Sequence, residues 1–133
     1  MKIGDIRYIG VVKAVFITVL LAHGILNTIG FQSYHETVKS LHGNAEFFNA
    51  AFFYHLMCYI PFAEIMLAVL LATRKANRWI LSFGFILFLI ATYFYIDTEQ
   101  SGSPILFLSL AFVTAWFIKN TGNLYRNKIQ LTY

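Results

Sequence analysis

Four apolar runs, each near the length that crosses a hydrocarbon layer, occupy most of this chain and decide what it can fold into: residues 9–31, 47–73, 79–96 and 104–118. One helical crossing takes roughly 20 apolar residues, so four take about 80 of the 133. Short connections and two ends are all that remain. Composition agrees, with 59% hydrophobic and 12% charged residues, where a soluble domain carries about a quarter charged. The expected fold is all-α, a single four-transmembrane-helix bundle in contact with the lipid bilayer.

The first run follows Lys2 and Arg7, as a signal peptide's core would, but it is longer than such a core and reads as a retained span. The second contains Pro61, which lacks an amide donor and should kink the helix near residues 57–61. Between these runs, Ser33-x-x-Glu36 has the form of a capping box, predicting a short surface helix over 34–41 that stops at Gly43-Asn44. Trp79 and the Tyr93/Tyr95 pair are placed as interfacial aromatics at the ends of the third span. A short acidic loop, 97–103, leads to Ser103-Pro104, which reads as an N-cap followed by a first-turn proline. The fourth run is only about 22 Å long at the helical rise, and the polar tail from Lys119 is expected to form an interfacial or surface segment. The lone cysteine, Cys58, sits in an apolar stretch and reads as a small buried hydrophobe.

Orientation follows from the basic residues. Lys2, Arg7, Lys13, Arg74, Lys75, Arg78, Lys119, Arg126 and Lys128 fall on one side of the four-span arrangement, and only Lys39 falls on the other, with Glu36, Glu46, Asp97 and Glu99. Basic residues stay on the cytoplasmic side, so both termini are expected there, in a cell's inner (cytoplasmic) membrane. The net charge of +4 then reflects topology and anionic headgroups, with no nucleic-acid partner implied.

Ionisable groups inside a span are costly and are candidates for function. Beyond Lys13 there are three: His23, His55 and Glu64. Counting helical rise from the basic face puts Lys13 roughly 3 Å deep, Glu64 about 10 Å, His23 about 18 Å, and Asn27 and His55 about 24 Å. Two layers are expected: an inner one of Lys13 reaching toward Glu64, and an outer one of His23, Asn27 and His55. His23 and Asn27 share a helix face at i, i+4, and Gly24 beside them permits close helix approach. Glu64 reads either as a structural acid fixing helix register or as a proton-handling or quinone-facing carboxylate. His23 and His55 read either as interhelical hydrogen-bonding groups or as a haem b ligand pair. His35, His42, Glu36 and Glu46 match no strong metal spacing, so no metal site is expected. No nucleophile, phosphate-loop or paired-cysteine motif is present.

Two stretches carry a family likeness: Ala22-His23-Gly24-Ile25-Leu26-Asn27, and Pro61-Phe62-Ala63-Glu64 followed by a leucine-rich helix and basic residues. Over about two-thirds of the chain they resemble the DoxX-like superfamily, which includes the MauE-type redox-associated proteins. Asn27 stands where that family usually has lysine, and the paired cysteines of MauE-type members are absent. The resemblance implies a small four-span inner-membrane protein acting as a non-catalytic accessory subunit that assists a redox or envelope complex. Two rival expectations remain: a redox-associated subunit touching quinone or holding haem b, and a small proton-coupled transporter using Glu64.

Overall fold

A computed structural model describes residues 3–98 and 103–130, with side chains over 7–98 and 104–120. Lys2, Glu99 and most of the acidic loop lie outside the described residues, as do the side chains of Ser103, Arg126 and Lys128. The described residues form five α-helices and no strand: α1 (Ile3–Ile29), α2 (Phe31–Gly43), α3 (Ala51–Ala72), α4 (Arg78–Asp97) and α5 (Ser103–Gln130). Within them, Arg7–Ile29, Ala51–Ala72 and Arg78–Asp97 are long and apolar enough to cross a membrane, while Pro104–Asn120 is a shorter apolar helix. The backbone of α5 runs on to Gln130, twelve residues beyond the expected end at 118, because the tail's polar residues are compatible with helix even where they end an apolar run.

The helices associate as two pairs, α1 along α3 and α4 along α5, with α2 lying against α3. The α1–α3 pair is antiparallel: Lys13 near the start of α1 lies by Arg74 past the end of α3, and Gly24 lies by Pro61 and Glu64. At Gly24 an added Cβ would fall 2.8 Å from Ile65 Cγ1 and 2.9 Å from the Pro61 carbonyl oxygen. Lipid removes most of the hydrophobic drive between spanning helices, so such close backbone approach does much of the holding.

Local chemistry sets the helix ends. The chain turns at Gly30 into α2, and Gly30 caps that helix without a side-chain bond. The expected capping box is therefore displaced: Ser33 lies inside the first turn, where its carbonyl accepts from the Thr37 hydroxyl at 2.9 Å. Beyond α3, Arg74 takes a left-handed conformation (φ 60°), Lys75 N–H donates to Leu70 O at 2.8 Å and Arg74 N–H to Leu71 O at 3.2 Å, which is a Schellman stop. Asn77 caps α4, its side chain accepting from Ile80 N–H at 3.0 Å. Asp97, at the end of α4, accepts from the amides of Phe47 and Phe48, each at 3.0 Å, and so fastens the loop ahead of α3 to α4.

Candidate functional site

The second apolar helix crosses Pro61 without breaking, although the proline nitrogen has no hydrogen to give the carbonyl of Met57. That carbonyl is met from outside the helix: the Tyr34 hydroxyl on α2 donates to Met57 O at 2.6 Å. Burial above all, then the neighbouring Tyr95 and Glu64, push the Tyr34 phenol up from its ordinary value, so it keeps the proton that this bond needs. The Tyr95 side chain of α4 lies close to Tyr34.

One helical turn along α3 from Pro61, Glu64 is fully buried and faces His23 of α1. The imidazole Nδ1 lies 2.9 Å and 2.8 Å from the two carboxyl oxygens. On the ring's other edge, Asn27 Nδ2 lies 3.2 Å from Nε2. An amide NH2 can only donate, so Nε2 accepts and the ring proton sits on Nδ1, donating to Glu64. Phe107 of α5, almost wholly buried, meets the His23 ring edge-on at 5.7 Å and stacks on Tyr95 at 5.4 Å. All five helices thus contribute to one centre: His23 and Asn27, Tyr34, Glu64 with the Met57 carbonyl, Tyr95, and Phe107. Among the described residues no buried side-chain polar atom lacks a hydrogen-bond partner.

This arrangement revises the two expected layers. Glu64 pairs with His23, and Lys13 lies instead by Arg74. The register of the α1–α3 pair explains the difference. Gly24, next to His23, lies beside Glu64 and the Pro61 carbonyl, and Lys13 lies by Arg74, so His23 and Glu64 stand level on antiparallel helices. The roughly 8 Å that separates them in the simple depth count came from setting the basic edge of α3 too close to Glu64. His55, placed with His23 by depth, is exposed and stands against the Tyr54 ring. Nine residues from Glu64, and so half a turn out of phase with it, His55 lies on the other side of α3. Haem ligation by His23 and His55 would require His55 to turn inward and His23 to release a partner.

Tyr34, Tyr95 and Phe107 were invisible as site residues in the sequence. Tyr95, expected at the interface with Tyr93, is buried, while Tyr93 is exposed. Two adjacent odd-numbered tyrosines on a helix point about 200° apart, and that phase was the available signal. His35 shares a hydrogen bond with Tyr54, and His42 Nε2 donates to Ala50 O at 3.0 Å, so these two histidines fasten α2 to the start of α3. Among the described residues no group of three or more metal-ligating side chains gathers. Cys58 is buried, as expected.

Fold and site together define a class: a chain whose described residues form helices only, with three segments long and apolar enough to cross a membrane, around a histidine–glutamate pair whose carboxyl is fully buried. Searches of protein-family models, curated proteins and solved structures found no match to it.

Proposed function

We propose that this chain is a four-span protein of the inner (cytoplasmic) membrane, DoxX-like, with both termini cytoplasmic, and that it serves as a non-catalytic accessory subunit of a larger membrane complex. Pro104–Asn120 would supply the fourth crossing, and the proximity of Lys13 to Arg74 supports a shared basic side. The observation that carries the subunit reading is the closure of the polar centre upon itself. Glu64, His23, Asn27 and Tyr34 are partnered among themselves or with backbone, as groups are when they fix helix register. The outward faces, by contrast, carry large apolar side chains such as Leu26, Phe52, Met66, Phe83 and Phe112, available to lipid and to other subunits. In a native gel after gentle detergent extraction, the chain should run as a stoichiometric part of a larger particle, and its deletion should remove that particle. A chain that runs alone, with every membrane complex intact after its deletion, would contradict the reading.

One observation favours a second reading, a redox-associated subunit contacting quinone. An apolar groove between α1 and α5, of about 380 Å³ and lined by residues including Val15, Val19, Leu106 and Leu110, ends one turn short of His23, whose side chain is 29% exposed. Quinone retained by the purified protein, and lost on His23→Leu, would favour this reading; a quinone-free preparation would remove it.

A further inference from the structure

The polar centre is lopsided. Toward the α2 end its groups continue as a ladder: Glu64 bonds His23, His23 bonds Asn27, and Asn27 lies within one turn of the α1 terminus at Ile29. His23 and Asn27 are each only half-buried. Tyr34 and Tyr95 extend the same region from α2 and α4. Toward the basic end no such ladder exists among the described side chains. Phe16, Leu20, Leu67, Leu71, Phe88 and Phe117 are all buried there, and Phe16 packs on Phe117 at 5.4 Å. Among the described side chains, the one buried hydroxyl of α5 in that stretch, Thr114, is turned back onto its own helix, donating to Leu110 O at 2.7 Å.

We infer that the His23–Glu64 pair exchanges protons with the compartment that α2 faces and is sealed from the compartment at the basic end. The titratable groups that face Glu64 are His23 on α1, Tyr34 on α2 and Tyr95 on α4; α5 presents Phe107, which cannot titrate. The relay step is balanced. Nε2 takes a proton from water on the α2 side as Nδ1–H passes to a Glu64 oxygen; the Asn27 amide turns over so that its oxygen accepts from the new Nε2–H, and the imidazole is left neutral in its other tautomer. The reverse step returns the proton. A protein so built senses pH on one side of the membrane and does not conduct protons through it. This goes beyond the subunit reading and stands whether or not that reading holds.

The test uses the full-length protein in sealed vesicles, oriented by a Lys39→Cys variant. Lys39 is exposed on α2 while Cys58 is buried, so an impermeant maleimide reports which way α2 faces. A lipid-soluble carbodiimide reacts only with a protonated carboxyl, and mass spectrometry reads its adduct on Glu64. Lowering the pH on the α2 side should raise the labelling rate, by up to about tenfold per pH unit, the limit for uptake of a single proton. The same change on the opposite side should leave it unaltered. Labelling that follows the opposite side, both sides or neither would overturn the inference. Because the engineered cysteine defines the side, an α2 found facing the cytoplasm would refute the proposed topology and leave this test intact.

Discussion

The Tyr34 hydroxyl on α2 occupies the hydrogen-bonding position that Pro61 leaves open at the Met57 carbonyl, at 2.6 Å. Proline and tyrosine are thereby coupled across two helices. Tyr34→Phe strands a buried carbonyl and should destabilise the fold by about 1–3 kcal/mol. In a Pro61→Ala background the alanine amide can serve Met57 itself, so the Tyr34→Phe penalty should shrink by more than half. Unfolding followed by far-ultraviolet circular dichroism in detergent, run as a double-mutant cycle, measures the coupling.

Gly24 and Gly10 lie on the same helix in opposite circumstances. A Cβ at Gly24 meets the Pro61 carbonyl oxygen at 2.9 Å, whereas at Gly10 nothing lies within 4 Å. Gly24→Ala must push α1 off α3 and should cost about 1–3 kcal/mol. Gly10→Ala should be neutral or stabilise by up to about 1 kcal/mol, as alanine does in a helix. The two unfolding midpoints, compared side by side, separate close packing from general helix preference.

Arg74 holds a left-handed conformation, φ 60°, that costs a non-glycine residue about 1–2 kcal/mol. Arg74→Gly should therefore raise stability by roughly 1 kcal/mol, and Arg74→Val should lower it. Lys13 also gains, since Arg74 is a like-charged neighbour.

His23 and Glu64 act as a unit, so removing one strands the other. Each single leucine substitution should cost about 3–5 kcal/mol if it leaves a buried charge, and the double substitution should cost less than the sum of the two. Glu64→Gln, which keeps a hydrogen-bonding group opposite Nδ1, should be the mildest change at that position. Stability of the four variants, measured in one detergent, completes the cycle.

Much of this was readable from the residues. Apolar run lengths located the three helices long and apolar enough to cross a membrane, Gly43-Asn44 marked the end of α2, and the i, i+4 spacing of His23 and Asn27 put both on one face. Gly24 announced the tight approach that the Pro61 carbonyl confirms. What escaped was the register between helices. Depth counting started each helix from an assumed membrane edge, and it therefore assigned Glu64 to Lys13. The α1–α3 pair sets Lys13 by Arg74 and Gly24 by Glu64, which brings His23 level with Glu64 instead. Tyr34 escaped for another reason: its partner is a carbonyl, which no residue letter encodes, though Pro61 announces the vacancy four residues further on. The continuation of α5 to Gln130 was missed because a span is read from hydropathy, and hydropathy ends before the helix does.

The pairing of His23 with Glu64 is the claim on which the centre depends. Solid-state magnetic resonance in lipid, with nitrogen-labelled histidine and lysine and carbon-labelled glutamate, tests it most directly. The structure predicts a through-space coupling between His23 Nδ1 and the Glu64 carboxyl carbon that vanishes in Glu64→Leu. A Glu64 carboxyl coupled to Lys13 Nζ, or to no nitrogen of His23, would contradict it.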